Sequence, residues 1–150
     1  MKNTNRRRFL KVGAVAGGAA VAAAVPAVAQ EKSEKKVLIP HAPGKTPMFN
    51  SAIGYGNLVF LAGIGYHQAG DIKVHTKGVL DQIKANLEKV GSSMDKVLKC
   101  VVYLANGQDF AGMNEVFQGA WGPEPPVRTT VAVAWVPGNS LVEMDVIAYN

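Results

Sequence analysis

The folded part of this 150-residue chain has no excess of basic charge, although the whole sequence is basic. The formal net charge is +5, with 16 Lys and Arg against 11 Asp and Glu. Five basic residues stand within the first eleven positions, and from Gln30 onward eleven basic residues face eleven acidic ones. Because phosphate contacts dominate nucleic-acid affinity, this balance argues against a nucleic-acid partner. The same segment holds a single arginine, Arg128.

Cysteine and the common ligand-binding motifs are also scarce. Cys100 is the only cysteine, so the chain can form no internal disulfide and no cysteine-based metal site. It stands in an apolar run, where a small buried hydrophobe is the commoner role and a nucleophile is the alternative. The sequence has no internal repeat, no phosphate-binding loop and no metal-ligand spacing. We therefore expect no metal site.

Residues 1–29 have the features of an export signal. Residues 5–11 follow the twin-arginine pattern, and an Ala/Gly/Val run follows at 12–24. The small-x-small site at 27–29 predicts cleavage after Ala29 and a mature chain that starts at the next residue. We expect the twin-arginine export machinery as a partner and a periplasmic or secreted location. An uncleaved N-terminal anchor is the alternative.

The rest of the chain reads as a charged linker at 30–36 and one domain at 37–150. Hydrophobic periodicity predicts an α+β fold, with one mixed sheet and two helices packed on one face. The predicted elements are a strand at 37–39, a hairpin at 51–63 turning at Gly56-Asn57, a brief strand at 71–73, a helix at 76–90 ended by Gly91, a strand at 97–104, a helix at 110–119 capped by Asp109, and strands at 126–135 and 141–146.

The last two predicted strands hold charged side chains inside apolar runs. Alternation puts Arg128 on one face of the first strand, and Glu143 and Asp145 on one face of the second. A buried charge is costly unless it is paired, solvated or used on a ligand. The guanidinium of Arg128 suits a carboxylate or phosphate ligand, and a structural ion pair, for instance with Asp145, is the alternative. A tight hairpin would place Arg128 opposite Tyr149, so alternation alone does not bring Arg128 to Glu143.

Two histidines fall in regions predicted as loops. His67 and His75 lie close in sequence to Gly63, Gly65 and Gly70. A functional imidazole is one interpretation. Surface histidines are commoner, so we expect solvent-exposed side chains at both positions.

Several segments, taken in order, resemble the Rid (YjgF) family of small trimeric proteins. The resemblance covers residues from about 37 to 149, and no single piece decides it. The matching segments are residues 52–63, 70–72, 83–91, 95–99, 109–117, 126–131 and 141–148.

The resemblance implies a chorismate-mutase-like α+β fold and a homotrimer with clefts between neighbouring subunits. It implies hydrolysis of 2-imino and enamino acids to 2-keto acids and ammonia without a cofactor, like a 2-iminobutanoate/2-iminopropanoate deaminase. In the family, the arginine at Arg128 binds the substrate carboxylate. The glutamate at Glu143 and the backbone carbonyl at Thr130 hold the attacking water. The other cleft positions that the resemblance implies are Asn114, Phe49 and Gly63.

The sequence departs from the family pattern at several polar positions. The usual Ser-Gly-Gln after the third strand is Ala62-Gly63-Ile64, and the usual tyrosine is Phe49. A trimer that binds small carboxylates without catalysis is therefore an alternative to the imine hydrolase. A ribonuclease or translation inhibitor, a label that some relatives have, is a third interpretation, which the neutral domain disfavours.

Overall fold

The structure is a computed structural model that describes residues 33–44 and 46–150. The predicted export signal at 1–29 and the start of the predicted linker lie outside the described residues. Among the described residues, no helix is long and apolar enough to cross a membrane.

Six strands form one mixed sheet. The strands are β1 Lys35–Val37, β2 Ala52–Tyr55, β3 Leu58–Gly65, β4 Val97–Leu104, β5 Val127–Ala132 and β6 Val142–Tyr149. Their order across the sheet is β1-β2-β3-β6-β4-β5. Neighbours are antiparallel except β4 and β5, which run parallel. β5 therefore forms one edge of the sheet, with β4 as its single paired neighbour.

Two helices, α1 Ile72–Lys89 and α2 Phe110–Phe117, pack on one face of this sheet. The core joins α1 side chains such as Ile83, the α2 residue Met113 and the sheet residue Met144, all fully buried. Burying one such side chain stabilises the fold by about 1.5–3 kcal/mol. The predicted α+β fold is thereby confirmed. We call the other side of the sheet the open face.

The ends of α1 differ in how well the sequence predicts them. Residues 71–73 are not a strand, because the Asp71 side chain caps α1 by accepting a hydrogen bond from the backbone N–H three residues on. The helix therefore starts four residues before its predicted start. At the other end Gly91 has φ 82°, and Ser92 N–H donates to Leu87 O at 2.9 Å. The glycine end of the helix is confirmed.

Asp109 is the N-cap residue of α2, as predicted. The Asp109 side chain makes no capping hydrogen bond. Asn106 Oδ1 instead accepts from Gln108 N–H at 3.0 Å, one short turn earlier. The Asn106 side chain therefore caps the 3-10 turn that leads into α2. The helix α2 itself ends at Phe117 rather than at residue 119.

Two strands also differ from their predicted bounds. β1 begins at Lys35, inside the expected linker, and ends before Leu38. β5 ends at Ala132 rather than at residue 135. The reason is that β4 ends at Leu104, the partner of Ala132, and offers no further strand to pair with.

β5 and β6 do not form a hairpin with each other. β4, α2 and β5 form a βαβ unit, and β4 lies between β5 and β6. Cys100 of β4 pairs with Arg128 on one side and with Val146 on the other. The chain reaches β6 through a 3-10 turn, Pro137–Asn139. The predicted placement of Arg128 opposite Tyr149 is therefore wrong.

Candidate active site

Arg128 lies beside α2, on the helix-covered side of the edge strand. Its Nη1 donates to Asn114 Oδ1 at 2.8 Å. The guanidinium carbon lies 4.6 Å from the ring centre of Phe117 and 5.7 Å from that of Phe110. A cation–π contact and a hydrogen bond thus fix the orientation of the guanidinium. No carboxylate among the described residues pairs with it, so a structural ion pair with Asp145 is wrong.

Two neighbours of Arg128 have buried side chains. Thr130 Oγ1, two residues along β5, is buried without a hydrogen-bond partner among the described residues. Cys100 is the β4 partner of Arg128 and is completely buried. Burial, with a smaller contribution from Asp145, raises the pKa of the Cys100 thiol to about 12. The thiol therefore stays protonated at neutral pH, which excludes it as a nucleophile.

Glu143 lies on the open face, because its neighbours along β6 point into the core. Its cross-strand neighbour on β4 is Tyr103. Its carboxylate lies directly over Gly63 of β3, where an added Cβ would come within 3.0 Å of Glu143 Cδ and closer still to Oε1. The register of β3 shifts between Leu61 and Ile64, so Gly63 stands in a bulge. A side chain at Gly63 would occupy the space of the carboxylate.

A cleft of about 230 Å³ opens beside Glu143. The Tyr103 hydroxyl donates to Asp145 Oδ2 at 3.1 Å inside it. Burial, and then the negative charge of Asp145, raises the pKa of Tyr103. The cleft is lined by Gly63, Tyr103, Val133, Trp135, Val136, Pro137, Glu143 and Asp145. The sequence pattern does not identify Tyr103 or Trp135 as site residues, because Tyr103 meets Glu143 only through the pairing of β4 with β6.

The structure does not bring all the predicted site residues together. Arg128, Asn114 and Thr130 lie on the helix side of the sheet, whereas Glu143 and Gly63 meet on the open face. Phe49 precedes β2 in a loop and is 69% exposed; it does not line the cleft. A single chain thus places two groups of candidate residues on opposite faces of one sheet, and we call these groups the half-sites.

The histidines belong to neither half-site. His67 lies on the loop after β3, as predicted. His75 lies inside α1 and is 3% exposed, so the expected exposed loop position is wrong. The helix starts earlier than predicted, which places this residue against the core. Among residues 33–44 and 46–150, no group of three or more His, Cys, Asp or Glu side chains could hold a metal ion.

Comparison with known proteins places this fold and these residues in a family. Residues 39–150 match the family model described as Endoribonuclease L-PSP. The chain therefore belongs to the Rid family, whose members also appear under the names YjgF, RutC and L-PSP.

Relatives and solved structures extend this match over most of the domain. A RutC family protein of Pyrococcus abyssi is 41% identical over 116 residues, which is 73% of this chain and 91% of that protein. A 2-iminobutanoate/2-iminopropanoate deaminase of Dermatophagoides farinae is 31% identical over 123 residues, covering 77% and 96%.

The crystal structure of a YjgF family member from Neisseria meningitidis has 28% identity and a TM-score of 0.70 and covers 79% of this chain and 97% of that one. That of E. coli TdcF with bound serine has 25% identity and a TM-score of 0.65, covering 73% and 93%.

Proposed function

We propose that the protein is a homotrimeric hydrolase that converts 2-imino and enamino acids into 2-keto acids and ammonia. The observation behind this proposal is the state of Arg128. Its guanidinium is oriented by Asn114 and Phe117, and no carboxylate of the described residues neutralises it. An oriented arginine with unused donors suits a substrate carboxylate.

The active site would form where two subunits meet. The open side of the edge strand β5 exposes Val127 and Val131, which are 71% and 42% accessible. Apolar side chains on an edge strand suit burial against a second copy. A partner copy that covers these residues and reaches past the free edge of β5 would bring its Glu143 towards Arg128, which one chain by itself cannot do. Phe49, which is exposed before β2, would be a further lining residue at such a contact.

In this proposal Arg128 orients the substrate and Glu143 acts on a water held with the backbone carbonyl of Thr130. The water oxygen forms a bond to the imine carbon while the imine nitrogen takes up a proton. Glu143 takes this proton from the water and delivers it to the nitrogen, which gives a carbinolamine. Glu143 then takes the proton of the new hydroxyl group and passes it to the amine, the carbon–oxygen double bond forms, the carbon–nitrogen bond breaks and ammonia leaves. Acid–base help of this kind contributes about 10²–10⁴-fold.

Two other functions are alternatives to the imine hydrolase, namely carboxylate binding without catalysis and RNA cleavage. A trimer that binds carboxylates without catalysis is favoured by Ala62 and Ile64, which lack the hydroxyl and amide that the family usually places beside Gly63. The serine held by TdcF suits either function, because serine has a carboxylate. A ribonuclease, the activity named in the family description, is opposed by the balanced charge from Gln30 onward.

Active-site complementation tests the reaction and the shared site together. Arg128→Ala and Glu143→Gln are made separately, and each is assayed with imine generated by an amino-acid oxidase. Both should be inactive. Subunits of the two variants are then mixed, dissociated and reassembled. If each site takes Arg128 from one copy and Glu143 from the next, about a quarter of the sites regain both residues and the corresponding activity.

Each outcome has a distinct meaning. Activity in the mixture, with none in either variant alone, supports a site shared between copies. A mixture that stays inactive while the wild-type protein is active contradicts the shared site. A well-folded wild-type trimer that binds pyruvate in calorimetry but never accelerates imine loss supports the non-catalytic binder. Salt-dependent cleavage of RNA by the wild-type protein would support the ribonuclease instead.

A further inference from the structure

A second cavity adjoins the turn Pro137–Asn139, which also borders the Glu143 cleft. Its volume is about 330 Å³, and it shares no lining residue with that cleft. The loop after β3, the start of α1 and the turn itself form its walls. Two imidazoles line it, those of His67 and His75. None of the site residues proposed above takes part in it.

His75 contributes a hydrogen-bond donor from a buried residue. Its Nδ1 accepts from Leu141 N–H at 3.2 Å, so the ring proton must be on Nε2. The Tyr66 ring packs edge-on at 5.5 Å and fixes the plane of the imidazole. Although the residue is 97% buried, with 3% exposed, Nε2 takes part in no hydrogen bond among the described residues. Because Nδ1 is directed at Leu141, Nε2–H is the polar group left to face the cavity.

His67 contributes the opposite group. Its Nδ1 lies 3.0 Å from Gly138 O, and a carbonyl oxygen can only accept, so Nδ1 holds the proton. In the neutral form of this ring, Nε2 has a lone pair that can accept a hydrogen bond. The ring packs closely on the turn, since a Cβ at Gly138 would lie 2.5 Å from two of its atoms. The two histidines are thus held as opposite tautomers.

The cavity lies next to the start of α1. Gly70 lines the cavity immediately before Asp71, the N-cap of the 18-residue helix α1. The first backbone N–H groups and the dipole of such a helix attract anions. No Asp or Glu lines the cavity, and the amides of Gln68 and Asn139 add donors. The Asp71 carboxylate keeps its negative charge while it accepts the Val74 N–H as the cap of α1, so it offsets part of this attraction.

We infer that this cavity binds a small oxyanion that also bears a hydroxyl group. His75 Nε2–H donates to a charged oxygen, and His67 Nε2 accepts from the hydroxyl. Two imidazole lone pairs would suit a metal ion, but one lone pair and one N–H do not. Singly protonated phosphate and a 2-hydroxycarboxylate share the required chemistry. The inference concerns binding alone, so it does not depend on the imine hydrolase.

Calorimetry and histidine NMR on the whole protein test this inference. Inorganic phosphate and lactate are titrated separately into the wild-type protein and into His67→Ala, His75→Phe and His41→Gln. His41 is the matched control, because it lies on the loop before β2, where it contacts Asn50. We expect His67→Ala to weaken binding at least tenfold, His75→Phe to abolish it and His41→Gln to leave it unchanged. The ¹⁵N spectra should show Nδ1–H at His67 and Nε2–H at His75, and both should shift when the anion is added.

Phosphate binding without lactate binding identifies a phosphate site, and the reverse identifies a carboxylate site. Failure of both anions to bind at millimolar concentration would overturn the inference. Equal affinity in the wild-type protein and His67→Ala would overturn it too, and that variant changes an exposed loop residue that should not unfold the protein. Circular dichroism shows whether His75→Phe stays folded. If it does not, the result with His67→Ala decides.

Discussion

A single methyl group added at Gly63 would strike the Glu143 carboxylate. Gly63 is not among the glycines with positive φ, so alanine fits its backbone without strain. The new Cβ would stand 3.0 Å from Glu143 Cδ, and Oε1 lies closer still. Restoring an ordinary contact of about 3.5 Å requires the carboxylate to move by roughly 1 Å. The substitution therefore displaces the proposed base without changing its chemistry.

We expect Gly63→Ala to lower kcat. A misplacement of about 1 Å in a catalytic group costs about 10²-fold in rate, which corresponds to ~2.7 kcal/mol of barrier. The KM should change little, because Arg128, which binds the substrate carboxylate in our proposal, stands on a different half-site. The stability of the fold should also change little, since the bulge at Gly63 lies on the surface of the open face.

The assay is imine loss, with an amino-acid oxidase supplying the substrate. Gly107→Ala is the matched control, because its Cβ would meet a single atom, Ala132 Cβ, at 3.6 Å. We expect wild-type kinetics from the control and the hundredfold loss from Gly63→Ala. If Gly63→Ala keeps the wild-type kcat while thermal melting shows a folded protein, the position of the Glu143 carboxylate over Gly63 is irrelevant to the reaction, and the reasoning is refuted.

Four further predictions concern core packing, thiol reactivity, the pH dependence of stability and export. Ile83→Ala removes a completely buried side chain and should cost about 2–5 kcal/mol in chemical denaturation, whereas exposed Lys84→Ala should cost almost nothing. With the pKa of Cys100 raised to about 12, a thiol reagent at pH 8 should react only after unfolding. Stability should also fall as pH rises above about 9, because the unfolded chain then loses the proton first. Replacing Arg6 and Arg7 by lysine should abolish export in cell fractionation if the twin-arginine signal operates.

The sequence predicts best those helices, strands and turns whose ends are set by residues within the same segment. β4 matches its predicted bounds, because a short apolar run between turn residues is typical of a buried strand. The hairpin of β2 and β3 follows from the turn at Gly56, which has φ 61°. Gly91 likewise ends α1 because it adopts a positive φ, of 82°. The start of α1 was harder to predict, since Asp71 resembles a turn residue until its capping hydrogen bond is seen.

The order of the strands could not be read from local pattern. Neighbouring strands in sequence often pair, and that rule places β6 beside β5. The structure inserts β4 between them, because α2 forms the crossover of a parallel pair. Tyr103 joins the cleft only through this insertion, as the cross-strand neighbour of Glu143. A residue whose role depends on a distant strand has no signal within its own segment.

Arg128 cannot meet Glu143 within one chain, because the two side chains lie on opposite faces of the sheet. Arg128 shares its row with Cys100, which is in the core, whereas Glu143 shares its row with Tyr103, on the open face. A sheet is one backbone layer, so no side-chain rearrangement carries a guanidinium from one face to the other. Unwinding the edge strand would sacrifice its pairing with β4. A second copy that approaches along the free edge of β5 can bring its own Glu143 to the Arg128 of the first copy, and every strand stays intact. The fold therefore favours a shared site for geometric reasons, in addition to any stability gained by covering Val127 and Val131.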